Sequence, residues 1–291
     1  MIEIKNLYKR FGDKQVYNNA DITVDDSSIC GLIGINGAGK STLLRILSGV
    51  IRQDAGTVSI DGEEVFENEK IKRDILFLSD DPYYDTGVTG LKLKELYKTF
   101  YSLDDEIFTS YIRTFNLDVR KPIRNFSKGM KRQLFVAIAL ACEPKYLFLD
   151  ESFDGLDPLA RLEFKRGLIA LQEKGSTIVI ASHSLRELED ICDSFVLIDN
   201  TAVKVSGKIE EALDNIFKLQ LAFEKDIPPE DLPVEYIRAE KVGRVMTVVV
   251  RGNKEEALQK IKEMKPVILE EISMDFEDMF IEEVQNKGYL R

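Results

Sequence analysis

Nine residues, Gly34-Ile-Asn-Gly-Ala-Gly-Lys-Ser-Thr42, restrict the fold of this chain more than any other stretch. They fit the spacing G-x-x-x-x-G-K-[ST]. An apolar, strand-like run, Ile29 to Ile33, leads in, and a helix-like run, Thr42 to Ser48, leads out. A strand, a glycine-rich turn and a helix in that order ask for an α/β fold. The glycines let the backbone curl until several N–H groups point at one polyphosphate. The helix start adds partial positive charge beneath it. Lys40 is suited to the β- and γ-phosphates, and the Ser41 hydroxyl to magnesium. With Asn36, Gly37, Ala38, Gly39 and Thr42 completing the cradle, the stretch predicts a nucleoside-triphosphate site.

The rest of the composition narrows the partners. The 291 residues suit one large domain, or a large one and a small one. The formal charge is −11, and the only basic run is Lys128 to Arg132. That excludes a non-specific nucleic-acid binder, which needs a basic face, and adsorption to an anionic membrane surface. No apolar run approaches the ~18 residues of a spanning helix. The first residues, Met1-Ile-Glu-Ile-Lys-Asn6, lack the apolar core and cleavage site of a signal peptide. Cys30, Cys142 and Cys192 are scattered in apolar surroundings, which reads as buried free thiols in a reducing cytoplasm.

Up to residue 33 the chain reads as short strands, with a turn at Gly12-Asp13. Phe11 before it suits either a half-buried strand position or a ring stacked on adenine. Gly56 to Val65 reads as a hairpin about Asp61-Gly62. The run Ile75 to Leu78 ends in the loop Ser79-Asp-Asp-Pro-Tyr-Tyr84, able to carry an acid to a metal, show tyrosines to a partner, or simply be solvated. Residues 91–121 predict amphipathic helix, with one stripe at Leu91, Leu93, Leu96 and Tyr97 and another at Phe108, Tyr111, Ile112 and Phe115. Ser127 is placed to cap a helix, and its hydroxyl and the free N–H groups suit an anion as well as an ordinary cap.

Tyr146 to Leu149 predicts a buried strand that runs into Asp150-Glu151. The C-terminal ends of strands are where open α/β sheets hold ligands. There Asp150 can hold magnesium through water and Glu151 can orient an attacking water. A turn follows at 153–158, then a helix to Glu173, and Ser176 to Ser182 predicts a strand ending at His183, the single histidine. A helix over 185–192 and a strand over 195–198 follow. The acidic, proline-rich stretch Glu224 to Pro233 reads as a linker. After it, strands over 234–239, 244–251 and 267–272 and helices over 254–265 and 275–285 suit a small α+β module.

Taken together, the ordered motifs over residues 1–217 resemble the nucleotide-binding subunit of ATP-binding cassette (ABC) transporters. Phe11 matches the aromatic loop, Gly34 to Thr42 the Walker A loop, and Ser127-Lys-Gly-Met-Lys-Arg-Gln133 the family signature. Leu147 to Glu151 matches Walker B with its glutamate, Gly155-Leu-Asp157 the D-loop, and His183 the switch histidine. The resemblance implies a P-loop ATPase core with an antiparallel β subdomain and an α-helical subdomain, followed by a small C-terminal α+β module at 218–291. It implies ATP and magnesium as cofactors, with Ser41, Asp150 and Asp80 toward the metal. It implies catalysis by Lys40, Glu151 and His183. The partners it implies are an integral membrane permease and a second ABC subunit, in a head-to-tail dimer where Ser127, Gly129 and Asp157 face the other copy's nucleotide. The chain would then sit on the cytoplasmic face of the membrane.

Three positions depart from the family pattern. Lys128 stands where the signature usually has a glycine, a form frequent among exporters of drugs, polysaccharides and lipids. Asp80 stands near the usual glutamine of its loop. Ser152-Phe153 replaces the usual Pro-Thr. The alternatives are a soluble regulatory ABC-type ATPase, a chromosome or DNA-repair ATPase, and a translation factor. Residues 41–126 hold no long coiled coil, which speaks against the repair class, and one P-loop speaks against the translation class.

Overall fold

The computed structural model describes residues 1–85, 87–199, 201–208, 216–225 and 227–273. The chain divides into two compact units, Met1–Ser206 and Gly207–Arg291. In the first, β1 (Ile2–Phe11), β2 (Lys14–Val24), β4 (Ala55–Ile60) and β5 (Glu63–Glu64) form an antiparallel sheet in the order β2-β1-β4-β5. Alternation sets its faces: Ile2, Ile4, Ile22, Val24, Val58 and Ile60 point to the core, and the polar residues between them do not. Asp61 and Gly62, both at positive φ, make the hairpin turn.

The second sheet has six strands in the order β10-β9-β3-β8-β7-β6. These are β3 (Ile29–Ile33), β6 (Ile75–Leu78), β7 (Tyr146–Asp150), β8 (Thr177–Ala181), β9 (Ser194–Asp199) and β10 (Ala202–Lys208). Strands β3, β7 and β8 are buried at every residue, as continuous apolar runs in a parallel sheet should be. Their pairing is parallel: Ile29 faces Ile178, and Leu149 faces Ile180. The strand ends after Ile33, Leu78, Asp150 and Ala181 therefore lie along one edge. Helix α1 (Lys40–Leu47) packs Leu43, Leu44 and Leu47 into a cluster shared with the antiparallel sheet.

The expected helix over 91–121 is two helices, α3 (Gly90–Lys98) and α4 (Asp105–Thr114). Asp104 breaks the run: its carboxylate accepts from the amides of Glu106 and Ile107 at 2.7 and 3.0 Å and starts a new helix. A short α2 (Glu69–Lys72) precedes them, and α5 (Lys128–Ala141) packs on both. Helix α6 (Pro158–Glu173) follows β7, and α7 (Leu185–Glu189) ends three residues before the expected Cys192. All three cysteines are buried and unbridged.

The second unit holds the sheet β12-β13-β11-β14, from β11 (Ile216–Ala222), β12 (Tyr236–Val242), β13 (Val245–Arg251) and β14 (Ile268–Ile272). Helix α8 (Lys254–Glu263) lays Ala257 and Ile261 on it. The expected boundary at 217 falls inside β11, which belongs to this unit by its pairing with β13 and β14. Residues 224–233 are not a linker between domains. They connect β11 to β12 within one unit, anchored by Phe223 and Leu232 in its core, so acidic and proline content marked a connection and not a boundary. The expected helix 275–285 lies outside the described residues.

Candidate active site

Strand β3 delivers the glycine-rich turn to the sheet edge, and its shape is set by close packing. Gly39 has φ near 118°, and a Cβ there would meet Val16 at 2.9 Å and Tyr17 at 3.0 Å, so only glycine fits. The Tyr17 hydroxyl donates to the Gly39 carbonyl at 3.0 Å. No side chain caps the start of α1, so its first amides stay available to a ligand. Asn36 and Gly37 are exposed, and Ala38 and Gly39 half-buried. Lys40 is buried, and its ammonium donates to the Gly34 carbonyl at 2.6 Å. Burial pulls its pKa down, against the opposing pull of Glu151 and Asp150. Those two carboxylates act on Lys40 through space, while its hydrogen bond goes to the loop backbone.

At the end of β7, Asp150 is 3% exposed and its carboxylate accepts from the Ser41 hydroxyl at 2.9 Å. Desolvation raises its pKa, with Glu151 and Asp80 adding like charge. A buried carboxylate beside a hydroxyl is a donor set that a hard cation fits. Glu151 follows with φ near 46°, a left-handed conformation unusual for a side-chain-bearing residue, and its amide donates to Ala181 at 2.9 Å. Its carboxylate meets His183 twice, at the ring Nδ1 (2.8 Å) and the backbone amide (3.2 Å). Since a carboxylate only accepts, Nδ1 carries the proton. Glu151 therefore raises the His183 pKa, with Asp154 and Glu187 adding to it.

Thus Lys40, Ser41, Asp150, Glu151 and His183, far apart in sequence, meet at one sheet edge. Phe11 ends β1 half exposed, with the Lys9 ammonium 5.0 Å from its ring centroid. Ser127, Gly129 and Asp157 form a second group. Ser127 caps α5 by accepting from the Met130 amide at 3.2 Å. Asp157 caps α6 and accepts from Gln133 at 3.0 Å. A Cβ on Gly129 would stand 2.6 Å from the Gly155 carbonyl. Among the described residues, no hydrogen bond or ion pair joins Ser127 or Gly129 to the Lys40 group. Asp80 is tied to Arg132 by an ion pair of 2.8 Å.

Several polar residues around these groups escape a reading of the sequence. Glu187, buried, accepts from Ser182 at 3.1 Å and pairs with Arg161 at 3.1 Å. Ser182 in turn accepts from the Ser184 amide at 3.0 Å, so the network brackets His183. Lys14 lies at the edge of the phosphate loop, 4.0 Å from where a Gly37 Cβ would stand. Only the adjacency of Ser182 and Ser184 to His183 was visible in the chain. Phe153 is a core residue, its ring 4.9 Å from Phe164.

The ABC transporter family model matches residues 17–154. The chain is 28% identical to the ABC transporter ATP-binding protein YtrB of Bacillus subtilis, over 97% of each chain. It is 30% identical to the lantibiotic transport ATP-binding protein SrtF of Streptococcus pyogenes, over 77% of this chain and 99% of that one. A solved ATP-binding subunit of an ABC transporter superposes with a TM-score of 0.68 at 29% identity, covering 73% of this chain and 91% of its own. No helix among the described residues is long and apolar enough to cross a membrane. The likeness to SrtF and YtrB runs far beyond the motifs, and this chain belongs to the ATP-binding, ATP-hydrolysing subunits of ABC transporters.

Proposed function

We propose that this subunit powers an exporter, acting as a pair of copies beneath a separately encoded membrane permease on the cytoplasmic face. The observation that carries the chemical part is the meeting of Lys40, Ser41, Asp150, Glu151 and His183 at one strand-end edge. ATP lies with its phosphates on the loop from Asn36 to Thr42 and its adenine against Phe11. Ser41 and Asp150 would hold magnesium, which supplies charge neutralisation at the β- and γ-phosphates. Asp80, the third metal residue that the resemblance implies, has its carboxylate held by Arg132 at 2.8 Å, so it is left out of this set. Lys40 leaves the Gly34 carbonyl for the γ-phosphate and offsets its developing charge. Glu151 orients or deprotonates the water that attacks the γ-phosphorus in line. His183 steadies the same phosphate and holds Glu151 until nucleotide arrives.

Ser127, Gly129 and Asp157 then face the nucleotide of the second copy. Their separate grouping at the exposed starts of α5 and α6 supports this. The exporter reading is supported by the Ser127-Lys-Gly-Met form and by the likeness to SrtF, named for lantibiotic transport. Permease contact is supported by a groove of about 810 Å³ lined by Leu93, Leu96, Tyr97, Phe100 and Tyr83. Tyr83 is 88% exposed, and Leu96 and Phe100 are more than half exposed. The second unit, from Gly207 on, serves as an accessory module, since it has its own sheet and its own apolar core.

The test is capture of the chain from gently solubilised membranes of its source cell. A stoichiometric multi-span membrane protein, lost on Tyr83→Ala with ATP affinity kept, is expected. A soluble homodimer with active ATP turnover and no membrane protein would turn the reading to a regulatory ATPase.

A further inference from the structure

The loop after β6 and the start of α5 are remote in sequence but fastened together. Arg132 lies on α5 one turn past Gly129, with its side chain 3% exposed. A guanidinium keeps its charge and its five donors, so burying it demands acceptors. It donates to the Ser79 carbonyl at 3.1 Å, to the Asp80 carbonyl at 2.6 Å and to the Asp80 carboxylate at 2.8 Å. Two of these are backbone groups, so the grip is on the path of the loop and not only on one side chain. Further along, Tyr84 is half-buried, its ring 6.4 Å from Phe135 and 5.2 Å from the Lys131 ammonium. Tyr83, next to it in the chain, is exposed.

The charge balance decides what Asp80 is for. It is the carboxylate paired with a buried guanidinium. Turning it to a dication would leave Arg132 buried without its counter-ion, a costly state. Asp150, in contrast, is buried beside a hydroxyl; Arg45 acts on it through space, and no hydrogen bond or ion pair ties it to a cationic side chain among the described residues.

We propose that Arg132 is a positioning residue that locks residues 79–84 to the start of α5, with Asp80 as its counter-ion and not a magnesium ligand. The proposal rests on the nucleotide-site reading above. Under it, a partner pressing on Tyr83 shifts Ser127 and Gly129 through Arg132, with the loop and the helix start moving as one body.

Amide hydrogen exchange of the full, nucleotide-free chain tests the lock. Arg132→Gln removes the charged fork, and Asp80→Asn removes the counter-ion at a half-exposed position. Each should speed exchange of the first bonded amides of α5, Met130 and Lys131, by about tenfold, the size of a lost charge-assisted hydrogen bond. The double variant should add little, because both act on one interaction. Arg132→Lys, keeping the charge but not the fork, should fall between. The magnesium concentration that half-saturates ATP binding, measured by calorimetry, should stay within about twofold in Asp80→Asn, against about tenfold for a lost ligand. Unchanged exchange in both single variants would overturn the lock, and so would additive effects. A tenfold magnesium shift in Asp80→Asn alone would return Asp80 to the metal. Failure of the unaltered chain to bind ATP would instead overturn the nucleotide reading and the metal half of the proposal, while the exchange result still decides the lock.

Discussion

Two polar regions of the ATPase unit are built differently. At the sheet edge, Ser41 at the start of α1 bonds Asp150 at the end of β7, and Glu151 bonds His183 just beyond the ends of β7 and β8, strands that are fully buried. At the start of α5 the polar side chains bond loops instead: Ser127 caps its own helix, Gln133 holds Asp157, and Arg132 holds Ser79 and Asp80. The first region gathers groups that can act on one phosphate. The second fixes where loops lie relative to a helix. Chemistry should therefore be lost by substitution in the first, and geometry or stability in the second.

The sharpest way to break that division is Glu151→Gln. ATP binding should persist while hydrolysis falls by roughly 10²-fold or more, the size of a lost general base. Equal turnover would remove Glu151 from its role. Gly129→Ala should instead cost stability, about 1–3 kcal/mol in urea unfolding, because its Cβ is placed 2.6 Å from the Gly155 carbonyl. A neutral result would mean that the D-loop yields to the methyl. Ser127→Ala removes one cap and should cost about 1 kcal/mol by the same measurement.

The smallest effect concerns pH. His183 is the chain's one histidine, so a single imidazole titration is observed by NMR. The hydrogen bond to Glu151 raises its folded pKa, so Glu151→Gln should lower it. The sign for stability follows. A raised folded pKa contributes stability that is full below the unfolded value of about 6.5 and is lost as pH rises through the folded value. With the His183 side chain 56% exposed, solvent screening keeps that contribution small. A titration unmoved by Glu151→Gln would count against the pair.

What the sequence made legible was local. Strand, turn and helix about Lys40 are consecutive, and Asp150 and His183 announce themselves by following apolar runs at strand ends. Asp61-Gly62 carries its own turn signal. What it hid depends on partners distant in the chain. A basic residue within Lys128 to Arg132 looks solvated until β6 and its loop are laid beside α5, and only then is Arg132 buried. The same holds for Glu187, whose partners Ser182 and Arg161 come from other elements. The stretch from Glu224 to Pro233 misled because composition reports where regular structure stops, not where a domain does. Only Phe223 and Leu232, reaching the core of the second unit, reveal that distinction.

Glu151 holds a left-handed backbone at φ near 46°, a conformation that costs a residue with a Cβ about 1–2 kcal/mol and glycine almost nothing. Glycine at this position would therefore give a hardier and inert protein. The turn that sets the carboxylate against His183 is held at the expense of stability, so endurance and turnover pull this one residue in opposite directions.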